Sequence, residues 1–144
     1  MKSIVCGVTG SENSQKAVRV AAEMALKDSA QLTYVYVVDA GFLQGLTIEL
    51  RPEYAESFLE RLGGQILDEA AKTASSMGIQ PKAVLRKGKI MDEVSKVIKE
   101  VGGDLLMVGD EGQTFAQKVL FGKRIQNNLK EMERLSGVPV KVIH

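Results

Sequence analysis

Asp104-Leu105-Leu106-Met107-Val108-Gly109-Asp110-Glu111-Gly112 sets four consecutive apolar residues between an aspartate and a glycine. An apolar run with no polar alternation, bounded so closely, reads as a strand covered on both faces, the mark of a parallel sheet's centre. Upstream, Ile90, Val94, Val97, Ile98 and Val101 recur at helical spacing and Gly102-Gly103 stops them, predicting a helix over 90–101. Downstream, 112–122 reads as a loop with some helical content, residues around Lys123 to Leu135 as the last helix, and Pro139 to Ile143 as the final strand.

The same alternation runs through the first half of the chain. Ser3 to Val8 reads as a buried strand and Thr9 to Ser14 as a turn. Ser11, or Ser14 in its place, is positioned to cap a helix whose apolar face is Ala17, Val18, Ala21, Ala22, Ala25 and Leu26. Gln31 to Val38 is β-branched and aromatic, a second strand. Asp39 to Arg51 reads as a long connection, and Pro52 suits the first turn of a helix with Phe58, Leu59, Leu62, Ile66, Leu67 and Ala70 inward. That helix is expected to end near Met77-Gly78, and Pro81 to Leu85 is a third strand. Five strands separated by helices predict one domain over 1–144, a doubly wound α/β fold with a five-stranded parallel sheet in the order 3-2-1-4-5 and helices on both faces.

Composition narrows the function classes. The chain has 144 residues, 44% hydrophobic and 26% charged, with a net charge of +1. This balance lacks the basic excess of a dedicated nucleic-acid binder, and no apolar stretch is long enough to span a membrane. The run Ile4 to Val8 is too short for a signal-peptide core, so a cytoplasmic location is expected. One cysteine, Cys6, allows no intrachain disulfide and reads as a small core residue; the scattered methionines read as core filler. The single histidine, His144, cannot be combined into a nucleophile–base pair or a Cys/His metal cluster and is expected to be solvated.

In open α/β sheets, ligands bind beyond the carboxyl ends of strands where the strand order reverses, here between the first and fourth. Two glycine-bearing turns meet there, Val8-Thr9-Gly10-Ser11 and Val108-Gly109-Asp110-Glu111-Gly112. The helix opening near Gly122-Lys123-Arg124 would add an anion-favouring terminus and two cations. On these features alone, glycines that merely make tight turns are the simpler reading.

Gly109, two residues, Gly112, nine residues and Gly122 resemble the glycine spacing of nucleotide-binding universal stress proteins. The first turn around Gly10-Ser11-Glu12, the strand end Val37-Val38-Asp39, the Lys87-Gly88-Lys89 turn and Gly137-Val138-Pro139-Val140 are similar to the same family in order. The resemblance covers the whole chain and implies the adenine nucleotide alpha hydrolase-like version of this fold. It implies a regulatory stress-response module that binds ATP or ADP, with backbone at Val37 on the adenine and Thr9 at the ribose. The glycine loop and the following helix start would hold the phosphates. The implied site residues are Val8, Thr9, Val37, Met107, Gly109, Asp110, Gly112, Gly122, Lys123, Arg124 and Ile125. It also implies a homodimer through the last strand, which is Val-rich and lies at a sheet edge.

Three departures stand out. Thr9 replaces the family's first-turn aspartate, a weaker acceptor for a ribose. Lys123 replaces the serine or threonine after the third glycine, meeting phosphate as a point charge. Asp110-Glu111 sets two carboxylates beside the phosphates, unfavourable by about 1 kcal/mol per solvated contact unless magnesium bridges them. Asp39 lies nearby; no metal site is assigned to these carboxylates. A P-loop is excluded because Gln117 and Arg124 stand where it needs glycine and Ser/Thr. Gly7-Val8-Thr9-Gly10 lacks the dinucleotide fingerprint, and Thr9 to Ser14 lacks the second glycine and the aspartate of an ATP-pyrophosphatase loop. No catalytic residues are assigned beyond, at most, slow ATP hydrolysis. The alternative is a dimeric scaffold of the same fold that has lost nucleotide.

Overall fold

The computed structural model describes residues 2–39, 52–110 and 125–144. Among these residues nine elements alternate: β1 (Ser3–Gly7), α1 (Glu12–Asp28), β2 (Gln31–Val38), α2 (Pro52–Ser76), β3 (Lys82–Lys87), α3 (Ile90–Val101), β4 (Leu105–Gly109), α4 (Ile125–Ser136) and β5 (Val140–Ile143). All strand pairs are parallel, and the sheet runs β3-β2-β1-β4-β5, as expected.

Successive residues of a strand point to opposite faces, so each strand feeds two cores. Ile4, Cys6, Tyr34, Leu105 and Met107 pack with α1 and α2. Val5, Val35, Leu106 and Val108 pack with α3 and with Met132 of α4. Burial of the Cys6 side chain pushes its thiol up to about 12, so it is a core residue with no reactive thiolate. The buried Tyr34 hydroxyl donates to the Val18 carbonyl of α1 at 2.9 Å, so this buried polar atom is satisfied.

Ends are set by local chemistry. Ser11 caps α1, its Oγ accepting from the Ser14 N–H at 3.0 Å. Ser14 serves the turn before it, accepting from the Thr9 N–H at 2.9 Å. Gly102 closes α3 in the left-handed conformation at φ 64°. At the amino end of the sheet, the Asp104 carboxylate accepts from the Lys2 and Ser3 N–H groups at 2.8 and 3.0 Å.

Three expectations are corrected. β3 extends through Arg86 and Lys87, paired with Val37 and Val38; an edge strand tolerates such charges, and Lys87 pairs with Glu56 and Glu60 of α2. Leu26 is 53% exposed, because one residue beyond Ala25 the helix has turned it about 100° off the core face. Phe58 and Leu62 are also exposed, along the rim of α2, whereas Leu59, Leu67, Ala70 and Ala74 face inward.

Gly109 sits hard against α1: a Cβ there would strike the backbone of Asn13 and Ser14. Gly109→Ala should lower unfolding free energy by about 2 kcal/mol or more in urea titration. Gly64→Ala on α2, where a Cβ meets nothing within 4 Å, should raise it by about 0.5–1 kcal/mol. Equal effects would remove the tight-approach argument. The Asp104 clamp has its own signature. Hydrogen bonds from the Lys2 and then the Ser3 backbone hold this carboxyl below its ordinary value of 3.8. Its stabilisation is therefore complete at neutral pH and fades as pH falls through and below that value. Asp104→Asn should flatten this acid limb in pH-dependent denaturation, and an unchanged limb would assign it to other carboxylates.

Candidate functional site

The strand order reverses between β1, which leads toward β2, and β4, which leads toward β5. At their carboxyl ends lies a cleft of about 390 Å³, within the usual range for a small-molecule site. The turn Gly7 to Ser11 forms one wall, reaching past β1, where the Val8 N–H still bonds the Val35 carbonyl at 2.9 Å. Val35, Tyr36, Val37 and Asp39 supply the β2 side, and Val108 and Gly109 the β4 side. Ile90, Met91 and Val94 at the start of α3 and Leu59 and Leu62 of α2 close it with apolar surface.

The turn is built for close approach. Gly10 has φ +88°, and a Cβ there would meet Ile66 of α2 at 2.8 Å. The Thr9 hydroxyl lies 3.3 Å from that of Ser11 and accepts from the Ser11 N–H at 3.4 Å. Polar groups thus cluster at the β1 turn and at Asp39, while the remaining walls are largely apolar. Such a cleft suits a flat, largely apolar group with a polar sugar-like or anionic extension. Among the described residues, no group of three His, Cys, Asp or Glu side chains is arranged to hold a metal ion.

The structure brings Val8, Thr9, Val37 and Gly109 together around the cleft. Met107 is placed elsewhere: fully buried in the α1 layer, it alternates away from the cleft that Leu106 and Val108 reach. Asp110 follows Gly109, its N–H donating to the Ile143 carbonyl at 2.7 Å and its carbonyl accepting from the Asn13 amide at 2.6 Å. Ile125 begins α4. Gly112, Gly122, Lys123 and Arg124 lie outside the described residues, as do Glu111 and the 112–122 loop and most of the 39–51 connection.

Sequence reading missed the α3 contribution, since Ile90, Met91 and Val94 follow an ordinary core periodicity. It also missed His144, whose Nδ1 lies 2.6 Å from Asp110 Oδ2 and which is thus ion-paired or hydrogen-bonded rather than simply solvated. Only the topology could reveal that pair, because 34 residues separate its members.

Comparison with known proteins gives a consistent result. The description "Universal stress protein family" matches residues 1–133. A universal stress protein of Methanocaldococcus jannaschii is 26% identical over 129 residues, 90% of this chain and 76% of that one. A universal stress protein solved in complex with cAMP superposes with a TM-score of 0.71 at 23% identity, covering 99% of this chain and 97% of that one. One from Archaeoglobus fulgidus, solved in complex with dAMP, gives 0.64 at 18% identity, covering 100% and 98%. The arrangement shared with these structures is the adenine nucleotide alpha hydrolase-like fold. With its family profile matched over nearly the full length, the chain belongs to the universal stress protein family.

Proposed function

We propose that this protein is a regulatory stress-response module that binds an adenine nucleotide, ATP or ADP, in the cleft between β1 and β4. The observation that carries the reading is the cleft itself, at the sheet's reversal point, with largely apolar walls and a hydroxyl-bearing turn on one side. Support comes from family members solved with cAMP and with dAMP. In this reading the β2 end at Val37 takes the adenine and Thr9 takes the ribose. Gly109, Gly112 and Gly122, with Lys123, Arg124 and the α4 start at Ile125, take the phosphates, with magnesium accompanying a polyphosphate. The role is binding rather than turnover, in a cytoplasmic setting; no helix among the described residues is long and apolar enough to cross a membrane.

The proposal extends to a homodimer through β5. Among the described residues this strand is paired on one side, with β4, and so leaves an outer edge of backbone donors and acceptors. Light scattering at micromolar concentration should give twice the 15.6 kDa chain mass; the single-chain mass would remove the dimer.

Calorimetric titration with ATP, ADP and AMP, with and without magnesium, should give dissociation constants near the micromolar range, about −8 kcal/mol. Met91→Trp, which fills the cleft from the α3 wall, should weaken binding by about tenfold or more, and Thr9→Ala by about fivefold for one lost hydrogen bond. Absence of heat with every nucleotide would leave the dimeric scaffold as the function. Binding indifferent to Met91→Trp would place the ligand elsewhere.

A further inference from the structure

Tyr34 and Tyr36 stand two residues apart on β2, so strand alternation sends both rings to the face covered by α1 and α2. Their hydroxyls fare differently. That of Tyr34 donates to the Val18 carbonyl of α1. Tyr36 lies one step nearer the carboxyl end and is 8% exposed. Its ring rests on α2 at Gly63, so close that a Cβ there would strike Cγ, Cδ1 and Cε1. Among the described residues, none hydrogen-bonds the Tyr36 hydroxyl. Nor is that oxygen sealed away, since the enclosed side-chain atom without a partner among those residues is Arg86 Nε. Open space reaches Tyr36 from the cleft, whose wall it shares with Val8 and with Leu59 and Leu62 of α2.

A buried hydroxyl left without a partner is destabilising, and native proteins rarely carry one that nothing completes. Burial also raises this phenol above its ordinary 10.0, so it keeps its proton and stays neutral. A phenolic O–H both donates and accepts. Set in an apolar wall, it complements a neutral hydroxyl better than a phosphate, which draws cations.

We infer that Tyr36 is a further ligand-binding residue, its hydroxyl completing a hydrogen bond with a sugar hydroxyl of the nucleotide in the cleft. The inference rests on the nucleotide reading above and adds to it a contact from the α2 wall. Position favours the sugar. Tyr36 directly precedes Val37, where that reading seats the adenine, whereas the phosphates lie toward Gly109 on the β4 side. The ring wedged against Gly63 holds its oxygen in one place, so the contact selects a hydroxyl at one position of the sugar.

Tyr36→Phe removes the oxygen and keeps the ring on Gly63, so its urea midpoint should equal or exceed that of the unsubstituted protein. Calorimetric titration then compares AMP, 2′-deoxy-AMP, 3′-deoxy-AMP and free adenine. The unsubstituted protein should prefer AMP over one of the deoxy forms by about fivefold, the effect of one hydrogen bond. Tyr36→Phe should lose that fivefold for AMP, and its preference over the same deoxy form should vanish, as expected of two groups in contact. Free adenine should bind both proteins alike. Unchanged AMP affinity in Tyr36→Phe, or an intact preference, overturns the contact and leaves a merely hydrated hydroxyl, with nucleotide binding unaffected. Weakened adenine binding in Tyr36→Phe places the hydroxyl on the base and overturns the sugar assignment. Failure of the unsubstituted protein to bind any of the four overturns the nucleotide reading, and this inference with it.

Discussion

β1 is the central strand of the sheet, with both long edges paired and both faces covered. It bonds β2 on one side and β4 on the other, with Ile4 opposite Leu32 and Leu105. Ile4, Val5 and Cys6 are 0% exposed, and burial of each aliphatic side chain contributes about 1.5–3 kcal/mol. The chain leaves β1 toward β2 and returns, two strands later, on its other side at β4. Helices crossing over in the two directions diverge at that point, which leaves room for a cleft at the carboxyl end of β1. The cleft follows from this topology, and residues 7–11 occupy its wall because they continue β1.

The same constraint explains how the amino and carboxyl ends differ. At the amino end, Asp104 satisfies the N–H groups of Lys2 and Ser3, and the sheet is closed by ordinary hydrogen bonding. At the carboxyl end the backbone is drawn tight by Gly10 against Ile66 and by Gly109 against the first turn of α1. Gly109 therefore serves two ends at once. It lets α1 seat on β4, and it keeps the cleft wall free of a side chain. Its presence in a glycine pattern consequently speaks for packing as well as for ligand binding.

Much of the fold was legible because strand and helix signals rarely conflict here. Leu105 to Val108 could only be a strand covered on both faces, and the Ala-rich face of α1 could only lie close against a sheet. The glycine spacing and the first turn pointed to the carboxyl ends of β1 and β4, and the structure places Val8, Thr9, Val37 and Gly109 around one cleft there. What was not legible depended on angles and distant pairing. Leu26, Phe58 and Leu62 sit on helix rims, where hydrophobicity does not say which side of the boundary a residue takes. Met107 obeys strand alternation and faces α1, while its neighbours Leu106 and Val108 face the cleft side. His144 and Asp110 meet only because β5 lies beside β4 in parallel.

The central claim is that an adenine nucleotide seats against the carboxyl ends of β1 and β4. Backbone amide chemical shifts followed by NMR during titration with AMP test it most directly. The account predicts that the largest changes fall on Val8 to Ser11, Val37 and Gly109, with little change at the amino end of the sheet. Changes concentrated instead around Leu26, Ile79 and Lys82, beside the hollow at that opposite end, would contradict it.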